Sequence, residues 1–392
     1  MFGSTCWNIP LAVGSRKLDA GTVPQVAESD DLELLRSAVH DLADHLIASD
    51  ANSPDHTGEV PTPALDALNE MGLLTPSDID VGGQGIPSHL QWCVIGEELG
   101  KVDAGTAFDV LNGAYAAIIV DRCGTAAQRE LLRAVRAVEG STRGTLLYFE
   151  GFGRSTVELS TTLDTHDGKV GVSGRKNAVA HLADSRYGVV VGRQGAETAA
   201  AVLSSESLTS LRVVRDDTAA GKMGARSAPT AVVELVDAEA ELLPRGGIEL
   251  SKVIAGFRIA IAAIAIGVGE AAVQYAAAYA ASREAFGQRI ADFQGVSFPL
   301  VEASLKIDSA RLLIADLAIA LDGDTYPNRL DEQVSAAVAA AGQAGMAATV
   351  AAVNTLGGHG YLTDHPMERL YRDASVLAAV DFDPLLTDWS VT

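Results

Sequence analysis

Cysteine is scarce in this sequence: the 392 residues include only three, Cys6, Cys93 and Cys123, and these lie far apart. An odd number of cysteines without a C-x-x-C pair predicts neither a disulfide framework nor a zinc site, and no metal is expected. Basic residues are also few, because 29 Lys and Arg stand against 51 Asp and Glu, which leaves a net charge of −22. Such a charge repels the phosphates of nucleic acids, so we expect no nucleic-acid partner.

The sequence also lacks an uninterrupted apolar run of the length that demands a bilayer. The best candidate, Ile254–Tyr279, is interrupted by Arg258, Gly267, Gly269 and Glu270. The first residues carry neither the charged start nor the sustained apolar core of a signal peptide. We therefore expect a cytoplasmic protein without a membrane partner.

The residues that are present divide the chain by periodicity, and its length allows two or three domains. Residues 1–29 have no period and predict an N-terminal extension, whereas 30–144 repeat apolar residues every three or four positions, which is typical of helices. Short β-branched runs in 145–248 predict a middle antiparallel β domain. Long Ala-rich segments in 249–392 predict a C-terminal helical bundle. The predicted fold class is mainly α with a β domain, that is, α+β.

The longest predicted helix ends in a polar stretch, SREAFGQRIADFQ. Arg283, Phe286, Arg289 and Gln294 lie within about three turns of one another, so two guanidinium groups come close to an aromatic ring and an amide. The planar fork of Arg suits a diphosphate because it donates two parallel hydrogen bonds. A solvated helix end is the alternative interpretation.

The pattern R-x-x-F-G-x-x-I-x-x-F-Q, followed about sixty residues later by LGGHGYLTDHPMERLYRDA, resembles the C-terminal helical domain of the acyl-CoA dehydrogenase family. The resemblance extends from about Leu32 to Asp381. It implies an N-terminal helical domain, a middle β domain and a C-terminal four-helix bundle, assembled as a dimer or tetramer around FAD. The implied reaction is the α,β-dehydrogenation of an acyl thioester, carried either by CoA or by a carrier protein.

In this family a carboxylate removes the α proton while a hydride leaves the β carbon for the flavin. Counting from the matching Arg372-Asp373 pair, the family's catalytic glutamate falls on Asp381, a carboxylate one methylene shorter. The family's second location for the base is Phe257, which cannot take a proton. Arg258 matches a family arginine and is expected near Asp381. Asp381 could instead be a solvated residue of a terminal tail.

The resemblance implies that the contacts lent to a neighbouring subunit's FAD are largely retained, together with one match in the β domain. In order, these residues are Arg283, Phe286, Gln294, Asn354 in place of a usual glutamine, Gly357, Gly358 and, in the β domain, Ser155.

The residues that the resemblance implies for contacts with the isoalloxazine ring are largely replaced by others. The flavin-bonding threonine is Phe149, the family's W-I-T is Ala178-Val179-Ala180, and its E-G-T is Asp381-Phe382-Asp383. Three interpretations stay open: a divergent FAD-dependent dehydrogenase with an enlarged site, a flavin-independent member performing cyclisation, dehydration or isomerisation, or a non-catalytic subunit of a mixed tetramer containing a paralogous chain.

Under the second interpretation, Glu150 and His181 are candidate acid–base groups. His181 would then face the vacated space beside Glu150, which could otherwise cap a turn. His359 and His365 flank Tyr361 in the C-terminal motif. Each histidine could instead be an ordinary polar residue.

Overall fold

The computed structural model describes residues 30–48, 54–137, 142–151, 159–166, 169–217, 221–323 and 329–381. The predicted extension 1–29, Ser155, and residues 382 and 383 lie outside this part of the chain. Helices come first, strands follow, and helices return. This order is that of the predicted α+β fold.

The first group of elements is helical, and its central pair is deeply buried. Ser88 caps α4 through a capping box with Gln91, and the Asp103 carboxylate caps α5 by accepting from the Thr106 amide at 2.7 Å. These caps set where the two buried helices begin. The helices are α1 (Asp30–Leu46), α2 (Pro54–Thr57), α3 (Thr62–Glu70), α4 (His89–Val102), α5 (Ala104–Cys123) and α6 (Ala126–Arg136).

The middle part is one sheet, interrupted by the short helix α7 (Ser205–Thr209). Its strands are β1 (Arg143–Leu147), β2 (Thr162–His166), β3 (Lys169–Ala180), β4 (Ser185–Gln194), β5 (Glu197–Leu203), β6 (Arg212–Asp217) and β7 (Thr230–Leu242). The strand order is β1-β4-β2-β3-β7-β5, with β6 on β7 and a further pairing of β4 with β5. That last pairing returns the sheet to β4, and Leu, Val and Ala side chains fill the enclosed core.

The last group contains α8 (Ile248–Ser282), α9 (Gln294–Asp322), α10 (Leu330–Leu356) and α11 (Met367–Val380). A two-stranded hairpin, β8 (Glu284–Ala285) with β9 (Gln288–Arg289), connects α8 to the turn before α9. Helix α8 packs against α4, α5, α9, α10 and α11. It approaches α4 so closely that a Cβ built at Gly267 would lie 2.0 Å from the Glu97 carbonyl oxygen, so only glycine fits there.

Two stretches among the described residues, Ile248–Ser282 and Leu330–Tyr361, are long and apolar enough to cross a membrane on length and composition alone. Arg258 and Glu270 interrupt the first stretch, but they do not by themselves exclude a membrane-spanning helix, contrary to the sequence-based expectation. The most apolar window of the first stretch is 94% buried inside the protein, as in the central helix of a packed core. The corresponding window of the second is 50% buried.

Two features of the sheet differ from the sequence-based expectation. Strand β2 was not expected, because Thr162–His166 is polar and largely exposed. The pairings are mostly antiparallel, but β1 runs parallel to β4, and β2 makes a single parallel pairing with β4. A parallel pair needs a long connection, and the segment containing β2 and β3 supplies it.

Candidate functional site

A cavity of about 560 Å³ opens between the sheet and α11. Phe149, Asn177, Ala178 and Thr230 line it on the sheet side, and the last turns of α11 close the other side with Val376, Ala379 and Val380. This volume lies within the range of small-molecule and cofactor sites. The predicted base, Asp381, directly follows Val380 in the chain but is not itself among the lining residues.

The strand that lines the cavity has an unusual backbone at its end. Ala178 and His181 have φ values of 51° and 37°, and the pairing of β3 with β7 shifts register between Lys176 and Val179. Non-glycine residues with positive φ cost free energy and persist where the surroundings hold them. Two buried polar contacts, one at each end of this segment, do so here.

The first contact joins Lys176 and Glu150. The Lys176 ammonium is buried and donates to a Glu150 carboxylate oxygen at 2.8 Å and to the Tyr148 carbonyl at 3.1 Å. Glu150 also accepts from the backbone and hydroxyl groups of Ser160 and Thr161. Burial alone would raise the pKa of Glu150, but Lys176 and these donors hold it at about 2. Glu150 is therefore a structural anchor and is poorly suited to acid–base chemistry.

The second contact fixes His181. Its Nδ1 lies 2.6 Å from an Asp109 carboxylate oxygen, and its Nε2 lies 2.8 Å from the Gly144 carbonyl oxygen. Arg143 donates to the other Asp109 oxygen. Burial would raise the pKa of Asp109, but His181 and Arg143 outweigh it and lower the pKa to about 2. The expectation that His181 faces the cavity is wrong: both ring nitrogens are engaged, and the ring is buried between α5 and the start of β1.

Phe257 lies in an aromatic cluster behind the cavity. Its ring centroid is 5.3 Å from that of Tyr115, 5.6 Å from that of Phe149 and 6.3 Å from that of Tyr148. These rings fill the region in which the sequence comparison located a second position for the base. The cluster supplies an apolar wall and no proton acceptor at Phe257.

Asp381 is buried, with 7% of its surface exposed, which excludes the solvated-tail interpretation. Arg258, which is 2% exposed, donates to the Asp381 carboxylate through Nε at 3.0 Å, and its Nη2 lies 2.9 Å from an oxygen of the same carboxylate. The same Nη2 donates to the Ser335 hydroxyl at 3.0 Å. The predicted proximity of these two side chains is confirmed. The guanidinium therefore fixes the position of the carboxylate.

The residues expected to serve a neighbouring subunit lie on the surface. Arg283, Phe286, Gln294, Asn354, Gly357 and Gly358 are all exposed, and none of them lines the cavity between the sheet and α11. The Phe286 ring is 98% exposed at the tip of the β8–β9 hairpin. A Cβ built at Gly357 or Gly358 meets no atom within 4 Å, so the backbone there is open to a close approach.

Two tyrosine–histidine pairs connect the two halves of this surface. The Tyr279 hydroxyl lies 2.8 Å from Nδ1 of His359, and the Tyr275 hydroxyl lies 2.7 Å from Nδ1 of His365. Both tyrosines are on α8, whereas both histidines follow α10. The pairs therefore hold the end of α8 against the Gly357-Gly358 turn.

Sequence reasoning missed Lys176, Asp109 and Arg143, which hold the cavity-lining strand. A lysine at an inward position of a predicted strand was the available signal for Lys176, since an isolated buried ammonium is costly. Asp109 lies among apolar neighbours near the start of a long predicted helix and offered a similar signal. Neither residue type by itself indicates its partner.

Two family profiles match the chain: "Acyl-CoA dehydrogenase, N-terminal domain" over residues 29–135 and "Acyl-CoA dehydrogenase, C-terminal domain" over residues 245–381. The probable acyl-CoA dehydrogenase YngJ of Bacillus subtilis is 26% identical over 366 residues, which cover 88% of this chain and 92% of that protein. The mitochondrial short-chain specific acyl-CoA dehydrogenase of Sus scrofa is 28% identical over 363 residues, which cover 88% and 85% respectively.

Among solved structures, butyryl-CoA dehydrogenase from Megasphaera elsdenii matches with a TM-score of 0.78 at 24% identity, covering 91% of this chain and 96% of that one. The family profiles extend over more than half of the chain, and the second includes the whole of α8, the exposed 283–294 segment and Asp381. The chain therefore belongs to the acyl-CoA dehydrogenase family of oxidoreductases.

Proposed function

We propose that this protein is an FAD-dependent dehydrogenase that introduces an α,β double bond into an acyl thioester. The observation that carries the proposal is the cavity walled by the last turns of α11, with the buried Asp381 carboxylate directly after its final lining residue, Val380. Relatives named acyl-CoA dehydrogenases support this assignment. No observation among the described residues favours non-redox chemistry or a non-catalytic subunit.

The residues of the chain fit FAD. Phe149 and Ala178 give the cavity apolar walls, and the Asn177 amide and Thr230 hydroxyl are polar groups that line it where the family's threonines are absent. The exposed Arg283 and the open Gly357-Gly358 backbone suit the diphosphate of a cofactor bound by a neighbouring copy. FAD, when bound, supplies the acceptor for the hydride that leaves the β carbon.

In this proposal, Asp381 is the base that removes the proton. Its carboxylate would take the α proton of the thioester, and Arg258, itself bonded to Ser335, would hold that carboxylate in place. The aromatic cluster around Phe257 keeps water from the space behind the cavity. A base one methylene shorter than glutamate requires the substrate to approach α11 more closely, and Ala178 leaves room on the opposite wall.

We also propose that the protein forms an oligomer with copies of itself. Helix α9 exposes large apolar side chains at spacings of three, four and seven residues, which form a stripe along one face. These side chains, which we call the α9 stripe, are Phe298, Val301, Leu305, Leu312 and Ile319. A second copy is the simplest cover for such a stripe, and it would bring Arg283 and Phe286 to another subunit's cofactor.

The first experiment is the visible absorption spectrum of the purified protein, followed by release and quantification of any flavin. About one FAD per chain is expected. A colourless protein that also fails to take up added FAD contradicts the proposed cofactor.

The base is tested with Asp381→Asn. An amide cannot accept the α proton, so turnover of an accepted acyl-CoA should fall about a thousandfold while flavin content is retained. Asp381→Glu should keep measurable activity, and Asp41→Asn on the exposed face of α1 is the matched control. Unchanged turnover in Asp381→Asn refutes the role of this carboxylate.

A further inference from the structure

Among the residues that the structure describes, one charged side chain at the cavity forms no ion pair. Arg175 on β3 lines the cavity and is exposed to solvent. In the antiparallel pairing of β3 with β7 it stands opposite Glu234, and Glu234 in turn stands opposite Arg212 on β6. Residues opposite one another share a face of the sheet, so two guanidinium groups flank a single carboxylate.

The Glu234 carboxylate is bonded to Arg212 and, among the described contacts, not to Arg175. The Glu234 Oε2 accepts from Arg212 Nη1 at 2.8 Å, on the side away from Arg175. The other arginine of the cavity, Arg215, is paired with Asp217, whose Oδ2 accepts from its Nη2 at 2.9 Å. Among the described residues, Arg175 alone presents an uncompensated positive charge to the cavity, in a protein whose net charge is −22.

We propose that Arg175 binds a phosphate group of the ligand that enters this cavity. Guanidinium donors match phosphate oxygens in geometry, and the surrounding negative charge makes an isolated cation selective for an anionic ligand. The inference rests on the proposed function, because FAD and CoA thioesters both carry phosphates. The shared chemistry is the phosphate ester, and the experiment distinguishes which molecule bears it.

The row Arg175–Glu234–Arg212 makes a second, indirect test possible. Arg212→Gln frees Glu234, which already faces Arg175 in register, to neutralise it. Arg212 does not line the cavity, so replacing it should change ligand binding only if the change reaches Arg175 through Glu234. Glu234→Gln removes the carboxylate and leaves Arg175 fully charged. We expect weaker phosphate binding in the first variant and unchanged or tighter binding in the second.

The test measures binding of FAD and of free CoA separately, by calorimetry on the purified full chain, so that no turnover is needed. Arg175→Gln should weaken one of the two ligands about tenfold, and the difference should shrink as salt is raised. Arg175→Lys should recover part of the loss. Arg186→Gln, an exposed arginine on β4 that does not line the cavity, is the matched control and should bind as the wild type does.

Steady-state kinetics show further whether the phosphate belongs to the CoA thioester or to FAD. If the phosphate belongs to the thioester carrier, Arg175→Gln raises KM for the CoA thioester and leaves unchanged the KM for the same acyl group on N-acetylcysteamine, which has no phosphate. If it belongs to FAD, flavin retention falls instead. Wild-type protein that binds neither FAD nor CoA refutes the proposed function together with this inference. Wild-type binding that Arg175→Gln leaves unaltered refutes the inference alone.

Discussion

Asp373 shows how a single buried carboxyl connects the cavity to the rest of the fold. It accepts a hydrogen bond from the Ala225 amide at 2.7 Å, which holds the loop that contains the cavity-lining Met223 against α11. Arg369 is the nearest cation, at 3.8 Å. Burial raises the pKa of Asp373 to about 7, and the neighbouring carboxylates Asp103 and Asp55 act in the same direction.

The raised pKa predicts a pH-dependent stability. Folded Asp373 keeps its proton up to about pH 7, whereas the unfolded residue loses it near pH 4, so the folded state binds more protons between these values. The contribution of this group is therefore complete below pH 4 and is lost as pH rises through 7, by about 1.4 kcal/mol per pH unit. Asp373→Asn stays neutral and can still accept from Ala225.

The measurement is the difference in Tm between Asp373→Asn and wild type from pH 5 to pH 8.5. We expect that difference to grow in favour of the variant as pH rises. Two curves that run parallel over this range would show that Asp373 ionises normally in the fold.

The β8–β9 hairpin displays Phe286 in a costly conformation. Phe286 and Gly287 form the two-residue turn, with φ values of 52° and 84°. Positive φ at both positions is the type I′ arrangement, which favours Asn-Gly over Phe-Gly. Apart from an edge-to-face contact with Phe293, with centroids 6.4 Å apart, the ring is exposed. A bulky aromatic residue at a strained, solvated turn suggests a contact with another molecule.

Phe286→Asn should distinguish the effect of this residue on the stability of the hairpin from its proposed contact with FAD. Asparagine suits the turn, so Tm should stay the same or rise, by the equivalent of about 1 kcal/mol. Loss of the ring should reduce FAD affinity about tenfold, measured as flavin retained per chain after dialysis. Val236→Asn, an exposed apolar residue of β7, is the control. Equal flavin retention in Phe286→Asn would refute the contact.

The α9 stripe concerns the assembly of the protein. The opposite side of α9 is buried against the rest of the chain through residues such as Ala303, Ile307 and Ile314, so this helix is apolar on two sides. A helix that is apolar on two sides is usually packed against protein on both sides. The stripe also continues for most of the 29 residues of α9, which is long enough for an interface between paired helices.

Leu305→Glu combined with Leu312→Glu should therefore dissociate the oligomer, because it places charges in a packed apolar seam. Light scattering coupled to size-exclusion chromatography measures the mass directly. Leu34→Glu on α1 is the control, since Leu34 is 68% exposed and Leu305 is 61% exposed. A monomeric wild type, or a double variant with the wild-type mass, would contradict the interface.

Much of this architecture could be predicted from local patterns. Apolar spacing predicted the long helices, and α8 extends beyond the expected Ile254–Tyr279 at both ends because its flanking residues continue the helical pattern. Alternation and β-branching predicted every strand longer than five residues, whereas the polar β2 gave no such signal. The resemblance to the family, counted from the matching Arg372-Asp373 pair, led to Asp381, which directly follows α11.

Only the tertiary structure decided what the candidate side chains do. Arg258 and Asp381 are 123 positions apart, and their contact depends on how α11 lies against α8. Glu150 forms an ion pair with Lys176, which lies on β3. His181 points away from the cavity because it is hydrogen-bonded to Asp109 on α5. Periodicity records which face of an element is buried, but the partner across that face comes from a distant part of the chain. The chemistry of a buried charged group is set by that partner.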